Sequence, residues 1–354
     1  MASQNLIESL EGMGHPRVLV LGDLILDRYT WGNADRISQE APVIVLQADG
    51  RESRLGGAAN VCNMLHGLRA KVTCIGVVGD DTAGIEVREL LAGAGVDTRW
   101  VLTEPGRPTT VKERFMGRAA GRHSNQILRV DTETHQPTTV ELEDQWANQL
   151  SSLVTDHDVV LISDYGKGVC TSRLLSTTID TARQVNIPVI ADPARGQDYK
   201  PYHGCTAITP NRLETAGATG QSVKNQATTV AAGQRLVTEL GLQMIFITLD
   251  RDGVAVIHRD GTSKVYPTHP RSVYDITGAG DVMLAMIGIC LGDGLSADEA
   301  AKLGNIAGGL EVERNGVAIV TREEIRVELI ERISNDKPDP TVDDTQQESP
   351  RKAA

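Results

Sequence analysis

Asp281 closes the run Thr277-Gly-Ala-Gly-Asp281, which opens the apolar stretch Val282 to Cys290. Two close glycines let a backbone bend sharply and approach an anion. The stretch behind them reads as a helix, and a helix start offers unpaired N–H groups and partial positive charge, which suit phosphate. An aspartate placed there would repel phosphate. Its better use is to take a proton from a hydroxyl that attacks phosphate. The same residues also fit a plain turn into a helix capped by Asp281, and this run alone does not choose.

A second glycine cluster, Gly56-Gly-Ala-Ala-Asn60, opens the apolar segment Val61 to Leu68; the strand-like Val72 to Val78 and then Gly79-Asp-Asp-Thr-Ala-Gly84 follow. With both clusters in this order, the chain resembles the ribokinase/PfkB family of carbohydrate kinases over about residues 15–333. Asp275 to Asp281 matches that family's C-terminal signature, and Gly56 to Asn60 its N-terminal one. Further motifs are Gly22-Asp23-Leu-Ile-Leu-Asp27-Arg28-Tyr29, Arg36 to Pro42, Ser163-Asp164-Tyr165-Gly-Lys167-Gly168, Thr209-Pro-Asn211-Arg-Leu-Glu214 and Val273-Tyr-Asp275. Together they look like the branch that phosphorylates D-glycero-β-D-manno-heptose 7-phosphate at O1, an early step toward the nucleotide-activated heptose of surface glycans.

The resemblance implies roles for named residues. Asp281 would be the catalytic base, and Gly278, Ala279 and Gly280 would offer N–H groups to the charge developing on the phosphoryl group. Asp23, Asp27, Gly57 and Asn60 would hold sugar hydroxyls. Asn211 and Glu214 would organise Mg²⁺ through water, with Asn211, Thr248, Gly253 and Asn305 on the ATP side. A monovalent cation such as K⁺ would sit by Asp275 and Thr277. Lys112, Arg114 and Arg129 would anchor the phosphate the sugar already carries; Lys112 and Arg114, two apart, share a strand face. Lys167 would serve nearby or pair with Asp164. Each residue also has a plainer reading: a strand-end turn for Asp23, a surface pair for Asp27 and Arg28, an N-cap for Asn211, a polar helix face for Asn305, a solvated strand for the lid cations. One departure stands out: Asp192-Pro-Ala-Arg195-Gly196 replaces the branch's Asp-Pro-Lys-Gly, which puts the contacts of that lysine in doubt.

These residues need elements to position them. Apolar strands are expected at Arg17 to Leu21, 71–77, Asp158 to Ile162, Ile187 to Ala191 and Gln243 to Thr248. Helices are expected at 57–69, 81–94, 170–186, 224–240, 279–291, 296–312 and 321–333. This alternation implies an α/β fold with a mostly parallel sheet covered on both faces, and ligands beyond the strands' carboxyl ends. Residues 28–54 and 98–131 are helix-poor and carry the β-type runs Pro42 to Leu46, Thr109 to Phe115 and Gln126 to Val130. They resemble the family's small β lid, which covers the sugar and forms a homodimer interface; a surface hairpin is the plainer reading. Residues 334–354 are polar and read as a disordered tail.

Composition agrees. The chain has 354 residues, 40% of them hydrophobic but only 3% aromatic, so the core must be aliphatic. A net charge of −12 argues against non-specific nucleic-acid binding. The five cysteines lack C-x-x-C spacing and read as buried free thiols of a cytoplasmic protein. The N-terminus lacks a signal peptide's basic start and apolar run, and no stretch is long enough to span a membrane. There is no Walker A run, no third glycine for a dinucleotide fingerprint, and no zinc spacing among the eight histidines. A nucleotidyltransferase H-x-G-H motif is also missing, so the expectation is a kinase alone. The alternatives are another sugar or nucleoside kinase of the family, acting on fructose or a hexose phosphate, and a sugar-sensing pseudokinase.

Overall fold

The computed structural model describes residues 2–118, 124–196, 198–268, 277–314, 316 and 318–335. In chain order its elements are α1 (Ala2–Gly12), β1 (Arg17–Gly22), β2 (Leu24–Ile37), β3 (Ile44–Gly57), α2 (Ala58–Gly67), β4 (Lys71–Gly79), α3 (Thr82–Gly93), β5 (Asp97–Glu104), β6 (Thr110–Arg118), β7 (Asn125–Thr132), α4 (Val140–Thr155), β8 (Val159–Ser163), α5 (Ser172–Gln184) and β9 (Val189–Asp192). Then come β10 (Ala207–Ile208), α6 (Arg212–Thr219), α7 (Gln226–Glu239), β11 (Met244–Thr248), β12 (Val254–His258), β13 (Ser263–Tyr266), α8 (Ala279–Gly292), α9 (Ala297–Glu311) and α10 (Arg322–Asn335).

The main sheet has the order β13-β12-β11-β10-β9-β8-β1-β4-β5, parallel from β11 to β5 and antiparallel at β12 and β13. β1 is central because Val18, Leu19, Val20 and Leu21 are all fully buried, so either face can take a helix layer. Its side chains alternate between two cores: Val18 and Val20 pack with α2, α8 and α9, Leu19 and Leu21 with α4, α5 and α7. The expected α/β architecture is therefore the one observed.

Helix α8 sets the position of Asp281. Every residue from Asp281 to Cys290 is buried, so this helix is apolar all round and runs through the interior. It lies against β8 at close range: a Cβ on Gly288 would come within 2.4 Å of Leu161 Cδ2. Burial of each large side chain along it stabilises the fold by roughly 1.5–3 kcal/mol. The turn before Asp281 thus stands at the start of a buried, closely packed helix.

The second sheet, ordered β3-β2-β6-β7, stands off the main one. Its β2–β6 pairing is parallel, and the β2–β3 and β6–β7 pairings are antiparallel. One boundary of the expected lid needs correcting. Within 98–131, β5 pairs with β4 as the edge strand of the main sheet, since buried Val101 and half-buried Trp100 and Leu102 pack on its two cores. Only β6 and β7 of that span belong to the second sheet. Three helices lie outside the expected ranges, α1, α4 and α6. In α4, Leu142, Trp146, Leu150 and Leu153 recur at helical spacing and are buried. Ser334 and Asn335 end α10. The rest of the expected tail, and Asp275 with its expected cation contact, lie outside the described residues.

Candidate active site

Gly278, at φ 99°, caps α8, a left-handed turn that costs a non-glycine residue strain. A Cβ there would also lie 2.8 Å from Glu311 Oε1 of α9, so only glycine fits the turn. Three residues on, the Asp281 carboxylate is 5% exposed. Asn60 Nδ2 donates to its Oδ2 at 2.6 Å, and the Tyr165 hydroxyl donates to its Oδ1 at 2.9 Å. Burial raises its pKa to about 6; these two donors, which favour the charged form, limit the rise. A carboxylate so tuned is ionised at neutral pH yet basic enough to accept a proton.

A cleft of about 1370 Å³ opens on one side of Asp281. Gly278, Ala279, Gly280 and Asp281 line it together with Asn211, Glu214, Thr248, Gly253 and Asn305, so all the residues expected on the nucleotide side share one cavity. Asn211 caps α6 in a reciprocal box: its Oδ1 accepts from Glu214 N at 2.9 Å, and its own N donates to Glu214 Oε2 at 2.8 Å. The two side chains are therefore also an ordinary helix cap, which occupies one Glu214 oxygen. Asn305 Nδ2 donates to the Pro267 carbonyl at 2.9 Å and Thr268 Oγ1 donates to Asn305 Oδ1 at 2.7 Å, so Asn305 fixes the chain after β13. Thr248 ends β11, and Gly253 opens the turn into β12. Arg195 Nε stands 3.8 Å from Glu214 Oε1, so the altered Asp-Pro-Ala-Arg segment still puts a cation on the cleft wall.

Away from the cleft, Asp281 faces residues of the second sheet, Asp27 and Lys112 among them. Asp27 on β2 is 4% exposed and accepts from Arg114 Nε on β6 at 2.9 Å. Arg28 pairs with Glu86 instead, so the Asp27–Arg28 pairing is set aside. Arg129 on β7 sits opposite Arg114 and bonds Asp131 at 2.9 Å. Lys112 Nζ lies 5.4 Å from the centre of the Tyr165 ring, and burial lowers its pKa. Gly57 ends β3 and precedes α2, which carries Asn60 to Asp281. Lys167 pairs with Glu133 at 2.7 Å, not with Asp164, whose oxygens accept from Gly166 N and the Tyr202 hydroxyl.

Asp23 also serves the fold. It is 1% exposed, and its carboxylate accepts from Tyr165 N and Lys167 N at 2.9 Å and from Val169 N at 3.1 Å. It anchors the loop after β8, because three backbone N–H groups take three of its roughly four lone-pair sites.

A family model described as "pfkB family carbohydrate kinase" matches residues 15–324. The chain belongs to that family. It is a sugar kinase. Relatives named bifunctional protein HldE include those of Trichlorobacter lovleyi, 40% identical over 91% of this chain, and Paramagnetospirillum magneticum, 37% identical over 92%. The chain spans 65% of the length of each of these two relatives. Among solved structures, Arabidopsis thaliana ribokinase complexed with ribose and ATP matches at 18% identity, with a TM-score of 0.70 over 90% of this chain and 99% of that one. Escherichia coli phosphofructokinase-2 in complex with potassium matches at 18% identity, with a TM-score of 0.70 over 90% of this chain and 100% of that one.

Two groups of this kinase's site were not singled out from sequence. Tyr165 stood in a noted motif, Ser163 to Gly168, but nothing local says that its hydroxyl reaches a residue 116 positions away. Asp192 stood in the altered segment. Its half-buried carboxyl lines the cleft near Gly280, and desolvation, then the charges of Glu214 and Asp281, push its pKa up.

Proposed function

We propose that this kinase transfers the γ-phosphoryl group of ATP to O1 of D-glycero-β-D-manno-heptose 7-phosphate, giving the 1,7-bisphosphate and ADP. The observation that carries the reaction is the Asp281 carboxylate, held by two donors at the start of α8, where the cleft meets the lid. Asp281 takes the O1 proton as the oxygen forms its bond to the γ-phosphorus. The bond to the bridging oxygen breaks, and its electron pair leaves with ADP. N–H groups of Gly278, Ala279 and Gly280 at the helix start stabilise the charge on the moving group.

The cleft residues fit a hydrated magnesium ion. Glu214 keeps one oxygen outside its cap and lines the cleft beside Asn211, which suits a metal held largely through water. When bound, magnesium would offset the negative charge of the phosphates. The heptose phosphate reading rests on the motifs around Asp23, Asp27, Asp164 and Asn211 and on the lid cations Lys112, Arg114 and Arg129, which suit a sugar already bearing phosphate. A K⁺ requirement and a cytoplasmic setting belong to the same proposal; the five free cysteines support the latter. So does a homodimer through the lid: all eight residues of β7 are exposed in the single chain, among them Ile127, Leu128 and Val130.

Phosphorus NMR with ATP, Mg²⁺ and the heptose 7-phosphate, beside fructose 6-phosphate and ribose, tests the substrate. A new anomeric phosphate with the heptose alone is the expected result. Turnover of another sugar keeps the kinase and discards this acceptor, and no turnover of any sugar moves weight to a pseudokinase.

A further inference from the structure

Tyr165 is the group of this site that no motif role covers. Its ring and backbone are fixed from three directions. Asp23 accepts from its N–H and from those of Lys167 and Val169, which pins the loop to the end of β1. The Gly166 N–H donates to Asp164 Oδ1 at 2.7 Å and closes the turn just beyond it. Lys112, from the lid strand β6, covers its ring. With all this in place, the hydroxyl meets Asp281 Oδ1 at 2.9 Å while Asn60 holds Oδ2 at 2.6 Å. Each oxygen of the base therefore has one donor, and the plane of the carboxylate is set.

We propose that Tyr165 is a positioning residue for the base: its hydroxyl, opposed by the Asn60 amide, holds the Asp281 carboxylate in the orientation from which it takes the acceptor's proton. The inference rests on the reading of Asp281 as base. It also gives the buried Asp23 a task, since the three N–H groups it gathers are what aim Tyr165. Because Lys112 lies on the same ring, the lid strand and the base share one contact residue.

The charged groups facing Asp281 are Asp27 from β2, Lys112 from β6 and Asp192 from the end of β9, with Glu311 of α9 behind Gly278. Of these, Lys112 favours the ionised base, and Asp27 opposes it. Burial and the neighbouring carboxylates push the Tyr165 hydroxyl well above its ordinary pKa, so it stays a donor throughout the working range.

The test is Tyr165→Phe, which removes only the hydroxyl, with kcat and KM followed from pH 5 to 9. Loss of a donor to a carboxylate favours its neutral form, so the acid limb of kcat should rise by about one pH unit. That is about a tenfold loss of kcat on the limb, narrowing at high pH to a plateau still below wild type because the carboxylate is no longer held in place, with KM for ATP and sugar within about twofold. 3-Fluorotyrosine at position 165, a stronger phenol donor, should move the limb the opposite way. An unmoved limb in both variants overturns the inference, as does a pH-independent loss with both KM values raised, which marks a collapsed loop. Asp281→Asn runs beside them. If it keeps turnover, the assignment of the base has failed and the inference with it; if it is inactive while the limb stays put, only the role of Tyr165 is lost.

Discussion

Replacing Asp281 with Asn should inactivate this kinase and at the same time make it more stable, by an amount that depends on pH. The carboxyl has a pKa of about 6 in the fold against 3.8 for the free side chain. The native state therefore binds this proton more tightly than the unfolded chain between those two values. Stability from this group is present in full below pH 3.8, falls as pH rises through the window, and is lost above about pH 6. The difference in pKa corresponds to roughly 3 kcal/mol of destabilisation by the ionised group at pH 8, an order-of-magnitude figure. Asparagine carries no charge and can keep both contacts: its oxygen accepts from Asn60, and its amide can donate to the Tyr165 oxygen.

Urea unfolding of both proteins from pH 4.5 to 8, beside turnover at each pH, measures the two effects. Wild-type kcat should fall below about pH 6, because the protonated carboxyl cannot act as base. The variant should lose about 10²- to 10⁴-fold in kcat, the usual worth of a positioned base, while still binding ATP and sugar. Its stability advantage should be greatest near pH 8 and shrink toward pH 4.5. A variant less stable than wild type at pH 8 would refute the claim that an ionised, buried carboxylate is held there at a cost. An advantage equal at all pH values would show that the effect comes from packing and not from charge.

Other residues give separate readouts. Gly278→Ala should lose most turnover and stability on the order of 1–2 kcal/mol, since it forces a side chain into a left-handed turn against Glu311; thermal unfolding and kcat check it. Asp23→Ala strands three backbone donors, so amide exchange at Tyr165, Lys167 and Val169 should accelerate while exchange in β11 stays slow. Lys112→Met should raise KM for a phosphorylated sugar by roughly tenfold and leave KM for ATP unchanged, since Lys112 does not line the cleft. Arg195→Ala, at an exposed ion pair on the cleft wall, should alter KM for ATP by no more than a few-fold; a large loss of kcat would make it part of the chemistry.

The alternation of strands and helices was legible because a parallel sheet buried on both faces demands unbroken apolar runs, and Arg17 to Leu21 and Gln243 to Thr248 have no other use. The starts of α7 and α9 fell within a few residues because Asn225 and Ser296 are side chains that cap their own helices. α4 carries the same kind of signal, with Leu142, Trp146 and Leu150 four apart on its buried face. β5 was hidden because a strand on the edge of a main sheet and a strand in a lid share one pattern; only the pairing with Thr73 to Gly79 separates them.

The site divides along the same line. Asp281 and the glycines could be read because their chemistry is local: a turn, a helix start and an acid lie within four residues. Asp23 could be noticed but not understood, because its partners are backbone groups about 140 residues away, and backbone N–H leaves no mark on a sequence. What the fold adds is the link between them. Asp23 sits at the end of β1, the loop it gathers follows the neighbouring strand β8, and α8 packs on β8 from one face. Asp281, the Tyr165 hydroxyl and Asp23 are therefore all carried by one pair of parallel strands and the helix on it, while Lys112 and Arg114 stand on the second sheet. A lid that shifted relative to the main sheet would move the acceptor's cations but not the base. Variants of the lid should accordingly act on acceptor KM, and variants along β1, β8 and α8 on kcat and its pH limb; a lid variant that moved the limb through Lys112 would mark the contact, at Tyr165, where the two halves meet.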